Sequence, residues 1–112
     1  MTEPENPGSD PRSLTTTAVR DGDEWVINGR KWWTSGACDP RCKINIVMGK
    51  TDPSAPKHLQ QSQILVPMDT PGITVRAIPS LVGEGDIHEV FFNDVTVPAS
   101  VMLGEEGKAW SI

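Results

Sequence analysis

The sequence has no tyrosine and only two cysteines among its 112 residues. Two cysteines are too few for a disulfide framework, so we expect a reduced, intracellular chain. There is no run of lysine and arginine, and the net charge at pH 7 is −5. Such a chain lacks the positive surface that binds phosphate backbones, which argues against DNA or RNA as a partner.

Long apolar segments are missing as well. The run Ile64–Val66 is far too short to span a bilayer. The first residues, MTEP, have neither the basic nor the apolar part of a signal peptide. The length fits a single domain. Glycine and proline are frequent, with ten of each, and this favours many short elements connected by turns over long helices.

Short segments rich in β-branched and apolar residues alternate with turn signals along most of the chain. Residues 1–13 are polar and contain three prolines, so they are expected to form a loop. The predicted strands are Leu14–Arg20, Glu24–Ile27, Arg30–Thr34, Ile44–Met48, Gln63–Met68, Ile73–Ile78, His88–Phe92 and Val95–Val97. The predicted turns are Asp21–Asp23, Asp69–Gly72, Asn93–Asp94 and Asn28–Gly29, the last being the strongest hairpin signal. The pattern predicts an all-β, antiparallel barrel or sandwich of about seven to eight strands.

The C-terminal segment, residues 104–112, has a different character. Glu105 and Glu106 are typical of the acidic first turn of a helix. A helix of this length does not persist without packing partners. We therefore expect a truncated helix here, and expect residues 1–112 to be one domain of a longer polypeptide.

Four segments carry a family resemblance. They are Met1–Pro4 with Gly8–Asp10, Asp23–Gly36, Asp69–Gly72, and Phe92–Pro98 followed by Leu103–Gly104. In order and spacing they resemble the middle β-barrel domain of the acyl-CoA dehydrogenase family. The pair Trp32–Trp33 and the stretch Cys42–Pro53 resemble the larger branch that includes family members 10 and 11.

The resemblance implies an FAD-dependent enzyme that oxidises an acyl-CoA thioester to the trans-2-enoyl-CoA. A glutamate removes the α-proton while the β-hydride passes to the flavin. The resemblance places this base in a C-terminal helical domain, so no catalytic residue is expected in this chain, and the isolated segment is expected to be inactive. The implied partners are acyl-CoA, flanking helical domains, further copies of the chain and an electron-transfer flavoprotein. The implied location is the cytoplasm in a bacterium, and the mitochondrion or peroxisome in a eukaryote.

The resemblance also implies a flavin-facing set of residues. Cofactor contacts are expected from Met1, Thr2, Gly8, Ser9, Trp33, Thr34 and Ser35, and a substrate contact from Ser9. A rigid indole can cover the flavin ring, and a nearby hydroxyl can hold its polar rim. Because side chains alternate along a strand, Trp32 is expected to point away from Trp33 and to serve packing.

Two segments depart from the family pattern. Glu5–Pro7 makes the first loop one residue longer than in most relatives, which leaves the register of Gly8 and Ser9 open. The stretch Leu81–Ile87 is shorter than in relatives.

Two other functions stay open at this point. One is a β-barrel binding module without chemistry, and the other is an acyl-CoA oxidase-like relative that contains a flavin. No metal site is expected, because Cys38 and Cys42 lack the spacing of a structural zinc site and neither His58 nor His88 has a histidine partner nearby in sequence.

Overall fold

The computed structural model describes the backbone of residues 1–112 and every side chain except that of Glu84. The strands are β1 (Thr17–Asp21), β2 (Glu24–Ser35), β3 (Ile44–Lys50), β4 (Gln61–Pro67), β5 (Ile73–Ser80), β6 (Gly83–Pro98) and β7 (Met102–Leu103). Short 3-10 turns lie at Pro11–Ser13, Lys57–Leu59, Ala99–Val101 and Ala109–Ser111. Among the described residues, no helix has the length and hydropathy needed to cross a membrane.

All seven strands join one sheet in the order β5–β6–β2–β1–β3–β4–β7. Neighbouring strands are antiparallel except β1 and β3, which run parallel where Thr17 pairs with Lys50. The sheet is therefore mixed, and in the part of the chain described it does not close, because β5 and β7 lie at its two edges. The all-β class and the strand number are confirmed.

The core forms where the two halves of this sheet face each other. Strand alternation turns Trp25 and Ile27 of β2 inward. They share one buried cluster with Val90, Phe92, Val95 and Val97 of β6 and with Val47, Ile64 and Val66 of β3 and β4. Side chains from both ends of the strand order meet in this cluster, so the two ends of the sheet face each other across the core.

The hairpin turn predicted at Asn28–Gly29 is wrong, because β2 runs through both residues as one strand. The glycine is needed for a different reason: Thr16 crosses directly over it. A Cβ built on Gly29 would lie 2.3 Å from Thr16 Oγ1 and 2.8 Å from Thr16 Cα. Glycine at this position permits the close approach of another backbone segment.

The turn predicted at Asn93–Asp94 is also wrong, since β6 continues through it. The pairing of β2 with β6 shifts there, from Ile27 opposite Val95 to Gly29 opposite Phe92. Asp94 adopts a positive φ of 47°. The side-chain oxygen of Asn28 accepts a hydrogen bond from the Asp94 backbone N–H at 2.8 Å, and its amide donates to the Asp94 carboxylate at 3.0 Å. Asn28 therefore stabilises a β-bulge in the partner strand.

The chain ends differ from the predicted boundaries. Strand β1 begins at Thr17 rather than Leu14, because the preceding residues bind the N-terminal loop. The short edge strand β7, which pairs with β4, was not predicted. Residues 104–112 contain bends and the 3-10 turn Ala109–Ser111, and the expected start of a helix there stays a prediction.

We expect Gly29→Ala to destabilise the fold by about 3 kcal/mol, a cost on the scale of overpacking a core. The added methyl group would collide with the backbone of Thr16 as well as its side chain. Urea unfolding measures the change. Gly85→Ala is the matched control, because a Cβ there has no atom within 4 Å among the described residues. Equal effects at the two positions would contradict the close approach at Gly29.

Candidate functional site

The N-terminal loop is attached to the sheet through Glu3. This side chain is buried, and its carboxylate accepts hydrogen bonds from the backbone N–H and hydroxyl groups of both Thr15 and Thr16. Asn6 donates a further bond at 3.0 Å from within the loop. Lys31 of β2 forms a buried ion pair with the carboxylate, with Nζ 2.7 Å from Oε2, and donates a second bond to the Met48 carbonyl of β3 at 2.8 Å.

The environment of this pair changes the acidity of both groups. Burial raises the pKa of the Glu3 carboxyl, but the hydrogen bonds from Lys31, Thr15 and Thr16 outweigh burial and lower its pKa to about 2. Burial lowers the pKa of the Lys31 ammonium, and Glu3 opposes that change. Glu3 is therefore a stable carboxylate at neutral pH and a poor proton acceptor.

A second bond fixes the loop beside the tryptophan pair. The backbone N–H of Trp32 donates to the Thr2 carbonyl oxygen at 2.8 Å. Gly8 folds back onto the same place, since a Cβ there would lie 3.7 Å from Thr2 Cγ2. The structure thus brings Thr2 and Gly8 together and holds Thr2 next to the segment that contains Trp33.

The expectation that Trp32 and Trp33 point to opposite faces is wrong. The two rings are stacked, with centroids 4.5 Å apart and planes inclined by 23°. The pairing with β6 shifts between Lys31 and Thr34, and Trp33 has a positive φ of 59°. This β-bulge breaks the alternation of side chains at this point. A bulky residue in the left-handed region is strained, and such strain often occurs at functional sites.

Trp33 is 51% exposed, and its ring forms one wall of an open apolar cleft of about 200 Å³. The other wall is the tip of the β5–β6 hairpin. We call this space the Trp33 cleft; it is lined by Trp33, Ile78, Pro79, Ser80, Val82, Gly85, Asp86 and Ile87. Thr34 and Ser35 follow the bulge, and the carbonyl oxygen of Thr34 lies 3.3 Å from Nδ1 of the buried His88.

Two of the predicted site residues lie in other clefts. Ser9 is exposed and lines a cleft of about 430 Å³ with Asp10, Pro11, Arg12, His58 and Trp110. Met1 lines a neighbouring cleft of about 300 Å³ with Met48 and Trp110 among others. Trp110 therefore lines both of these clefts, and neither Ser9 nor Met1 lines the Trp33 cleft.

Sequence reasoning missed the buried pair of Glu3 and Lys31. A signal was present, because Lys31 occupies the same alternating positions as the inward-facing Trp25 and Ile27, and an inward lysine needs an anionic partner. It also missed a charged cluster on the outer face of the sheet. There the buried carboxylate of Glu89 pairs with Arg30 at 2.5 Å and Arg76 at 2.9 Å.

The described residues contain no group of three or more histidine, cysteine, aspartate or glutamate side chains that could hold a metal ion. Cys38 is exposed, Cys42 is half-buried, and both are free thiols.

Comparisons with known proteins give consistent results. Residues 1–95 match the family model described as acyl-CoA dehydrogenase, middle domain. The whole chain is 55% identical to "Probable acyl-CoA dehydrogenase FadE2" of Mycobacterium tuberculosis, of which it spans 28%, and 48% identical to mouse acyl-CoA dehydrogenase family member 11, of which it spans 15%. It superposes on the crystal structure of an acyl-CoA dehydrogenase from Geobacillus kaustophilus with a TM-score of 0.88 at 42% identity, covering 99% of this chain and 29% of that one.

The strain at the bulge predicts opposite effects of glycine at two adjacent positions. We expect Trp33→Gly to be more stable than Trp33→Ala by about 1 kcal/mol, because glycine adopts a positive φ without strain. At position 32 we expect Trp32→Gly to be less stable than Trp32→Ala by about 0.5–1 kcal/mol, the ordinary cost of glycine in a strand. Urea unfolding of the four variants measures both differences. If the glycine and alanine variants have the same order of stability at both positions, the backbone at Trp33 is not strained.

The lowered pKa of Glu3 predicts a specific loss of stability in acid. Its carboxyl takes up a proton near pH 4.5 when unfolded but only near pH 2 when folded. The stabilisation is therefore complete above pH 4.5 and is lost as the pH falls towards 2. Between these two pH values we expect Glu3 to take up one proton on unfolding. The free energy of unfolding should therefore fall by about 1.4 kcal/mol for each pH unit of acidification. Urea unfolding at several pH values measures this slope, and an unchanged slope in Glu3→Gln would contradict the assignment.

Proposed function

Because the chain belongs to the acyl-CoA dehydrogenase family, as its middle domain, we propose that the whole protein dehydrogenates an acyl-CoA thioester with FAD as oxidant. The product would be the trans-2-enoyl-CoA. The chain spans 28% of the length of the first relative compared. We propose that the catalytic base is a glutamate outside residues 1–112, and that this domain supplies contacts to the flavin and the substrate.

The observation that carries the proposal is the exposed indole of Trp33 on its strained bulge. Together with the exposed Val82 and Ile87 of the same cleft, this ring forms a contiguous apolar surface, and such surfaces often mark ligand or partner sites. The bulge presents the ring outward, and the stack with Trp32 fixes its plane. A flat, largely apolar ring system with a polar rim is the kind of ligand that this surface fits, and the isoalloxazine of FAD is such a system.

Each of these residues has a distinct role in the proposal. Trp33 would cover one face of the isoalloxazine and exclude water from it. The hydroxyl groups of Thr34 and Ser35 follow directly on the strand and would bind the polar rim. Thr2 reaches the same region because its carbonyl oxygen is bound by the Trp32 N–H. When bound, FAD supplies the hydride acceptor, and hydrogen bonds to its rim favour the reduced form.

The surroundings of Ser9 support a different contact. Its cleft is larger than the Trp33 cleft and contains Arg12 and His58 together with Trp110. We propose that Ser9 contacts the acyl-CoA substrate here rather than the flavin ring. Met1 and Gly8 would shape the loop around the cofactor. We also propose that the full-length protein has flanking helical domains and associates with a second subunit. An electron-transfer flavoprotein is its proposed electron acceptor.

The test uses the full-length protein that contains this domain. We expect it to be purified with a yellow flavin absorbance that bleaches when acyl-CoA is added without oxygen. We expect Trp33→Ala to bind FAD about 10- to 100-fold more weakly, since about 1.4–2.8 kcal/mol of aromatic contact is lost. Ile44→Ala is the control, because Ile44 is similarly exposed on β3.

Three results would overturn parts of this proposal. A full-length protein that binds no FAD would favour a binding module without chemistry. If the reduced flavin is then rapidly reoxidised by oxygen with formation of hydrogen peroxide, the result would favour an oxidase. Equal FAD affinity in wild type and Trp33→Ala would remove Trp33 from the site.

A further inference from the structure

We infer that the buried pair of Glu3 and Lys31 is the positioning element of the cofactor site. It holds the loop Met1–Ser9 in register with the Trp32–Trp33 bulge, and it thereby sets how tightly the site binds flavin and how easily the flavin is reduced. This inference rests on the proposed function, because it concerns the same site.

The geometry resembles a short ladder between the loop and β2. Thr2 bonds to Trp32 through backbone atoms, and Glu3 bonds to Lys31 through side chains. Consecutive residues of the loop thus meet consecutive residues of β2 in the antiparallel sense. The last contact of the ladder is at Trp32, the residue next to Trp33, which carries the exposed indole. A shift of the loop by one residue would break both contacts together.

The remaining bonds of Glu3 make this register specific. Its two oxygens accept from Thr15 and Thr16, which lead into β1, and from Asn6 within the loop. Lys31 adds the Met48 carbonyl of β3. One buried carboxylate and one buried ammonium therefore connect the loop with β2, with β3 and with the residues that lead into β1. A shorter or neutral side chain at position 3 cannot satisfy all of these donors at once.

Stability alone does not account for such a pair. Removing two charges from water is costly, and buried ion pairs can often be replaced by apolar residues with little loss. The loop itself has no regular secondary structure and contains Pro4 and Pro7, which donate no backbone hydrogen bonds. Without Glu3 and Lys31, the loop would lose its buried side-chain bonds to β2 and would keep the more exposed ion pair of Glu5 with Arg30, at 3.3 Å.

The experiment uses the full-length protein and three variants. Glu3→Gln leaves the Lys31 charge buried without its partner, and the double variant Glu3→Gln/Lys31→Met removes both charges. Val66→Ala is the stability-matched control, because it opens a cavity in the core at β4 and leaves the loop untouched. The measurements are the melting temperature, the dissociation constant for FAD, and the midpoint potential of the bound flavin, all taken where every variant is folded.

We expect the double variant to recover melting temperature relative to Glu3→Gln, yet to bind FAD at least tenfold more weakly than wild type and to shift its midpoint potential. Val66→Ala should melt earlier but bind FAD as wild type does. If Glu3→Gln does not fold, the double variant alone decides between these outcomes.

The opposite results separate the inference from the proposed function. If FAD affinity follows melting temperature across all variants, or if the double variant has a wild-type midpoint potential, the pair is only structural and the inference fails. If Trp33→Ala weakens FAD binding while the Glu3 variants do not, only the inference fails. If the wild-type protein binds no FAD, the proposed function fails first.

Discussion

The ion pair between Glu3 and Lys31 connects parts of the chain that share no continuous secondary structure. A carboxylate out of contact with water needs donors on all its lone pairs. Glu3 obtains them from its own loop, from Thr15 and Thr16, and from Lys31. The bonds of this pair therefore reach the N-terminal loop, the residues that lead into β1, and β3 through the Met48 carbonyl.

Thr16 also connects this arrangement with the backbone of β2. Its side chain bonds to Glu3 and at the same time lies over Gly29, where a Cβ has no room. Its carbonyl oxygen accepts a hydrogen bond from the backbone N–H of Lys50 at 2.7 Å, next to the parallel contact between β1 and β3. A polar residue therefore lies where β1 meets β3, while the two halves of the sheet are held together by the apolar cluster around Trp25 and Ile27.

Much of the fold could be predicted from local patterns. The alternation in β2, the apolar runs of β3 and β4, and the turns at Asp21–Asp23 and Asp69–Gly72 are each visible within a few residues. Asn28–Gly29 misled the prediction because its turn propensity is real but weaker than the pairing of β2 with two neighbours. Asn28 uses its side chain to hold a bulge on β6, a contact 66 residues away that no local pattern reveals.

Residue types and their spacing were enough to predict the all-β class and the approximate strands, and four ordered segments were enough to indicate the family. The class and the strands follow from local residue patterns, whereas the family follows from the resemblance of those segments. Three features are visible only in the folded chain: Trp32 and Trp33 stack on one side, Ser9 and Trp33 line different clefts, and Lys31 is buried against Glu3. The reason is that a bulge depends on register with a partner strand, and a buried charge depends on donors that only folding brings together.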